Sequence, residues 1–270
     1  MSKSTEGGQE GKEVPPTVLK MAISSMSTIS YGLSKKITIS DLSQVQIVDS
    51  VGKNIPIKSI STLGNLSDTG IITLNEDVDL THSYLVKIEG FESKIAFPKE
   101  VFDSEYFIQN YTYDGNDLGA TITKDGTIFK VWAPTARCII LNLYKTGNDG
   151  NPFQSVEMQK EPHGVWSYNA EKIGHGTYYT YTVSTAFTGT QEVVDPYAKS
   201  AGLNGKRGMV IDHSLATPDQ FENERYIELK SYEDAVLWET HVRDFSNEIK
   251  DSKYKGKYLS FTETGMKNES

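Results

Sequence analysis

The chain has 270 residues, with 27 Lys and Arg against 36 Asp and Glu, a formal net charge of −9. At roughly 100–200 residues per domain this is room for about two domains. An acidic chain with scattered lysines lacks the basic face that displaces counterions from phosphate, which argues against nucleic acid and against a membrane surface as partners. The single cysteine, Cys138, excludes an internal disulfide framework and a thiolate metal cluster.

Residues 1–17 read MSKSTEGGQEGKEVPPT. They contain no apolar stretch of the 7–15 residues that a signal peptide needs, and their Gly, Glu, Ser and Pro content predicts a disordered leader. As written the chain is expected to be cytoplasmic, with an extracellular location open if Met1 is not the true start. From Val18 to Glu100 short branched segments alternate with period two, at 36–40, 44–48, 54–58, 70–74 and 84–88. Turn signals at 49–52, 66–70 and 76–77 separate them, so a small β-sandwich is expected. Pro56 marks its segment as an edge strand. His82 has no second histidine or cysteine nearby and suggests no site.

A second, more aromatic β unit is predicted over 106–212. In Thr127–Trp132, Phe129 and Val131 share one face, and Lys130 and Trp132 the other. Ala133-Pro134 ends that strand. Further strands are expected at 138–144, 153–158, 165–168 and 177–183. In the last, Tyr179, Tyr181 and Val183 share the buried face, which leaves Tyr178 outward. Sugar rings stack on flat aromatics through their weakly apolar C–H groups. Trp132, Trp166 and Tyr178 are therefore the candidate carbohydrate-binding residues.

The segments Tyr113-Asp114-Gly115-Asn116-Asp117-Leu118-Gly119-Ala120, Phe129–Ala136, Gly164–Ser167, Tyr178–Val183, Val194–Lys199 and Asn204–Val210 stand in one order. Together they resemble the domain that precedes the catalytic barrel in type I pullulanases, debranching enzymes of glycoside hydrolase family 13. The resemblance implies a family 48 carbohydrate-binding module, an immunoglobulin-like sandwich. Starch-binding members of that family use two tryptophans and a lysine on one edge. Where the second exposed tryptophan is expected, Gly189-Thr190-Gln191-Glu192 has none. The unit before it is more loosely similar to the extra N-terminal β domain of some pullulanases. Asp195 and Tyr197 lie in the segment that, by this resemblance, faces the barrel, and are the candidate interface residues.

Ala235–Ser246 is similar to the first strand of that (β/α)₈ barrel, and Lys255–Glu263 to the loop after it. The expected fold class is therefore all-β: two tandem immunoglobulin-like sandwiches, 18–100 and 106–212, followed at 226–270 by the truncated start of a barrel. A retaining glycosidase needs a carboxylate pair about 5–5.5 Å apart. The family carries its pair on later barrel strands, and no acidic residue here matches its motifs. The expectation is an inactive N-terminal portion of an α-1,6-glucan debranching hydrolase acting on starch, glycogen or pullulan, or else a glucan-binding or scaffold module. No catalytic residue, metal or cofactor is assigned. The expected partners are an α-glucan and a catalytic barrel encoded elsewhere.

Overall fold

The computed structural model describes residues 15–267; most of the leader, residues 1–14, lies outside them. The described chain divides into two compact units, one ending at Ala216 and the other beginning at Thr217. The first holds seven strands and then nine.

The first seven are β1 (Val18–Ser25), β2 (Thr28–Thr38), β3 (Val45–Asp49), β4 (Ile57–Ile60), β5 (Leu66–Leu74), β6 (Tyr84–Ile88) and β7 (Lys94–Pro98). They hydrogen-bond in the order β3-β6-β7-β1-β2-β5-β4. Every neighbouring pair is antiparallel except β1 with β7. That parallel pair joins β3-β6-β7 to β1-β2-β5-β4, and both parts pack on one apolar core including Ile23, Ile29, Ile47, Ile72 and Val86. The Ile55 amide donates to Ile47 O at 2.9 Å, drawing the chain past β3 before it enters β4 at the far edge. Pro56 immediately precedes that edge strand, where a missing donor costs nothing.

Between the two β modules Ser104 accepts the Phe107 amide at 3.2 Å and caps a seven-residue helix, α1 (Glu105–Tyr111). The remaining strands are β8 (Gly119–Ile122), β9 (Gly126–Trp132), β10 (Ala136–Tyr144), β11 (Gln154–Glu157), β12 (Gln159–Lys160), β13 (Val165–Glu171), β14 (Tyr178–Thr185), β15 (Gly189–Val193) and β16 (Gly208–Met209). They form two sheets, β11-β10-β14-β15 with β16 also on β14, and β12-β13-β9-β8. Inward residues of both, including Phe129, Leu141, Leu143, Trp166, Tyr179 and Tyr181, make one core. This is the sandwich that the alternation predicts.

The second unit has a different character. Among its described residues are short 3₁₀ turns and one five-residue helix, α2 (Val242–Ser246). The strand expected from Ala235 is not formed: 235–240 carries no ladder, and Val236 and Leu237 are 94% and 95% exposed. A strand gains its stability from neighbours, and no described strand pairs with this one. Trp238, Phe245 and Phe261 instead gather into a small aromatic cluster, with Phe245 and Phe261 stacked at 4.2 Å.

Candidate functional site

The two tryptophan candidates sit on the same pair of strands and have opposite fates. Trp132 ends β9 on the outer face and pairs with Val165, while Trp166 pairs with Val131 on the inner face. Trp166 is 4% exposed and its Nε1 donates to Ala133 O at 3.1 Å. It is a core residue with no face for a ligand, which corrects the expectation that it is a sugar platform. Trp132 is half-buried. Its Nε1 donates to Tyr111 O at 2.8 Å and His163 O at 3.0 Å, and its ring meets Phe107 edge-on at 6.4 Å. The indole N–H is therefore spent inside the protein, and only the ring is left to offer.

That ring forms one wall of an open cavity of about 350 Å³, whose other walls include Phe107, Tyr111, Tyr113, Leu118 and Tyr197. Tyr197, 38% exposed, is placed by Gly119: at φ +94°, a Cβ there would lie 2.6 Å from Tyr197 O. Along the same outer face Lys130 Nζ lies 2.8 Å from Asp117 and 3.9 Å from Glu161, and Tyr113 OH donates to the other Asp117 oxygen. The Lys130 ammonium, then the Tyr113 hydroxyl, hold the Asp117 carboxyl below its usual range, and Asp117 in turn raises Lys130.

Tyr178 lies on the other sheet. It opens β14 opposite Tyr144 and Met209, half-buried, with the Gly147 backbone against its ring. Trp132, Trp166 and Tyr178 thus do not form one platform. In place of the second tryptophan, Glu192 accepts hydrogen bonds from Thr180 and Tyr144, and the Arg207 guanidinium lies 3.5 Å over the Tyr144 ring.

Asp195 is 3% exposed. It accepts from Tyr179 OH at 2.8 Å, Tyr181 OH at 3.4 Å and the Tyr197 amide at 2.9 Å. Burial raises its pKa despite these three donors, and burial raises both tyrosines too. An interface role for Asp195 is corrected: the carboxylate anchors the core beneath Tyr197, and only Tyr197 reaches the surface. The other buried carboxylate, Asp49, is taken up by the Val51 and Lys53 amides and by His82 at 3.5 Å. Among the described residues no group of three or more His, Cys, Asp or Glu side chains is disposed to hold a metal ion. No described helix is long and apolar enough to cross a membrane.

Sequence reasoning missed α1, which supplies Phe107 and Tyr111 to the cavity. Its signal was present in Ser104 as N-cap and in the four-residue spacing of the two rings, which stack at 4.8 Å. Trp132 also bolts the β modules together. His163 Nδ1 lies 3.1 Å from Asn110 O, Arg137 donates to Thr81 O and Ser50 Oγ, and Phe97 meets Phe187 at 5.9 Å.

Residues 117–198 match carbohydrate-binding module 48, described as the isoamylase N-terminal domain. The chain is 38% identical over 165 residues to a pullulanase of Bacillus subtilis, covering 60% of this chain and 21% of that protein. It is 33% identical over 163 residues to the chloroplastic pullulanase 1 of Arabidopsis thaliana, covering 56% and 17%. The chain thus spans about a fifth of the length of the curated relatives it matches. Among solved structures, pullulanase from Bacillus acidopullulyticus shares the fold with a TM-score of 0.80 at 24% identity, over 94% of this chain and 44% of that one. Pullulanase from Anoxybacillus sp. LM18-11, complexed with maltotetraose, gives 0.66 at 28% identity, over 93% and 34%. The second β module is thus a carbohydrate-binding module 48 region, in a chain similar to the N-terminal portion of pullulanases.

Proposed function

We propose that this chain serves as the non-catalytic β region of a pullulanase-type hydrolase that debranches α-1,6-glucans such as pullulan, starch or glycogen. In this reading residues 18–100 are an accessory β module, 106–212 the carbohydrate-binding-module-like sandwich, and 226–270 the start of a catalytic barrel. The observation that carries it is the match of 117–198 to carbohydrate-binding module 48 inside a longer stretch similar to pullulanases. Bond cleavage in a retaining glycosidase takes two carboxylates about 5–5.5 Å apart, with substrate between them. The two buried carboxylates described, Asp49 and Asp195, belong to separate cores and are occupied by the protein's own donors. The purified 270-residue chain incubated with pullulan is expected to release no reducing ends above blank, and turnover would overturn this reading.

A second reading, an α-glucan-binding or scaffold module, is favoured by the exposed aromatic wall at Tyr197 and Trp132. It is supported by the maltosaccharide complexes of related pullulanases. Affinity electrophoresis in amylopectin tests it, with retardation expected and unchanged mobility counting against it.

A further inference from the structure

We propose that the segment 225–231 is a processing site for a trypsin-like endopeptidase, which cuts after a basic residue and leaves the two β modules whole on one piece. Hydrolysis of the peptide bond consumes one water, leaving a carboxylate on Arg225 or Lys230 and a new ammonium on the residue that follows. Three features carry the inference. The first is access. Every residue from 217 to 241 is exposed. Among the described residues, the backbone–backbone hydrogen bonds made within 218–235 each span three residues, such as the Phe221 amide to Pro218 O and the Asp234 amide to Ser231 O. Opening one breaks a single short turn rather than a core. The second is shape. An endopeptidase holds its substrate as an extended strand against its own backbone. Residues 224–229 carry no helix, turn or ladder, and the backbone is extended on both sides, at Glu224 (φ −69°, ψ 129°) and at Ser231 (φ −143°, ψ 152°). The third is the side chain that such a protease selects. Arg225 and Lys230 stand at the two ends of this segment, both exposed. Basic residues elsewhere lack the combination. Arg137 lies in β10 and donates to Thr81 O and Ser50 Oγ, and Arg207 is clasped by the carbonyls of Thr146, Asp149 and Gly150. Near the lysines of 250–257, Glu263 holds the Lys253 amide and Ser246 Oγ the Gly256 amide, contacts ten residues apart. The cut also spares what precedes it. The second core ends at Val210, and the contacts that join the two β modules, Arg137 with Thr81 and Phe97 with Phe187, all lie upstream.

The test is limited trypsin digestion of the full chain, timed and read by intact mass, with the order of cuts scored within 18–270. The first cut is expected after Arg225 or Lys230, at least about tenfold faster than any cut in 18–216, where a ladder or core must open first. Chymotrypsin selects other side chains and is expected to cut first in the same exposed stretch, after Phe221, Tyr226, Leu229 or Tyr232. The long fragment is expected to keep the melting transition of the parent chain. The pair Arg225→Gln and Lys230→Gln, both on the surface, is expected to slow the first trypsin cut by about tenfold or more and to leave chymotrypsin unaffected. A first cut by either protease inside 18–216 or 241–267, or no cut at all, overturns the proposal. So does an unchanged trypsin rate in the double variant, or a long fragment that loses its transition.

Discussion

The Trp132 indole donates to the Tyr111 carbonyl at 2.8 Å, across the boundary between the linking helix and the second β module. The same N–H reaches His163 O at 3.0 Å. A side chain that reads from sequence as a binding platform is therefore also the joint of the structure. Its packing and its hydrogen bonds can be separated by mutation.

Trp132→Phe keeps most of the ring contact with Phe107 and removes the donor. Two carbonyls lose a partner, one of them near solvent, so a loss of about 1 kcal/mol is expected. The local consequence is sharper than the global one. Amide exchange across Glu105–Tyr111 should accelerate, while exchange in β10 and β14 stays as in the wild type. Hydrogen-exchange mass spectrometry measures both, and uniform protection across α1 would show that the joint does not depend on this donor.

Asp195 offers a test in which two substitutions at one position should diverge. Asp195→Ala leaves the Tyr179 and Tyr181 hydroxyls in the core without an acceptor, at a cost of about 2–4 kcal/mol. Asp195→Asn keeps an acceptor oxygen and removes the buried charge. The sign follows from the raised pKa. Stability linked to the protonated carboxyl is complete below the unfolded value of about 4 and is lost as pH rises through the higher folded value. The asparagine variant lacks that loss. Its urea midpoint should fall less between pH 4 and 7 than that of the wild type, with the two curves closest at low pH.

Trp166→Ala should cost about 3–5 kcal/mol through the cavity it opens. Because the ring faces Val131 and the core, its removal should not alter the affinity of the folded fraction for maltoheptaose. Chemical denaturation and titration at low temperature distinguish this from a platform role, in which affinity would fall while stability held.

These two tryptophans also show what a single strand can and cannot disclose. The period-two pattern of Thr127–Trp132 correctly sends Phe129 and Val131 inward and Lys130 and Trp132 outward. It does the same for Tyr179 and Tyr181 against Tyr178. Val165–Tyr168 has too short a pattern to choose a face, and its choice is made by register with β9, a long-range property. β1 escaped notice because Met21, Ala22 and Ile23 are buried in succession, which breaks alternation. The cavity was illegible for the same reason. Tyr111, Trp132 and Tyr197 are far apart in sequence, and nothing local says that they meet. The segment at 235–238 shows the converse: a strong strand pattern does not make a strand where no described neighbour pairs with it.

That segment leads to the last prediction. Ala235-Val236-Leu237-Trp238 is an uninterrupted apolar run, with Tyr232 just before it almost fully exposed. Exposed, uncharged and β-prone chain without a ladder partner is a template for pairing with other copies. Two changes should relieve it by different routes: ending the chain at Lys230, or the pair Val236→Lys and Leu237→Glu in the full chain. Both should shift the protein toward monomer in light scattering at high concentration, while the melting transition of residues 18–216 stays within about 2 °C, since surface changes remote from a core move stability by only a few tenths of a kcal/mol. If both variants self-associate as the parent chain does, the association surface lies elsewhere, and the apolar run at 235–238 is not what draws the copies together.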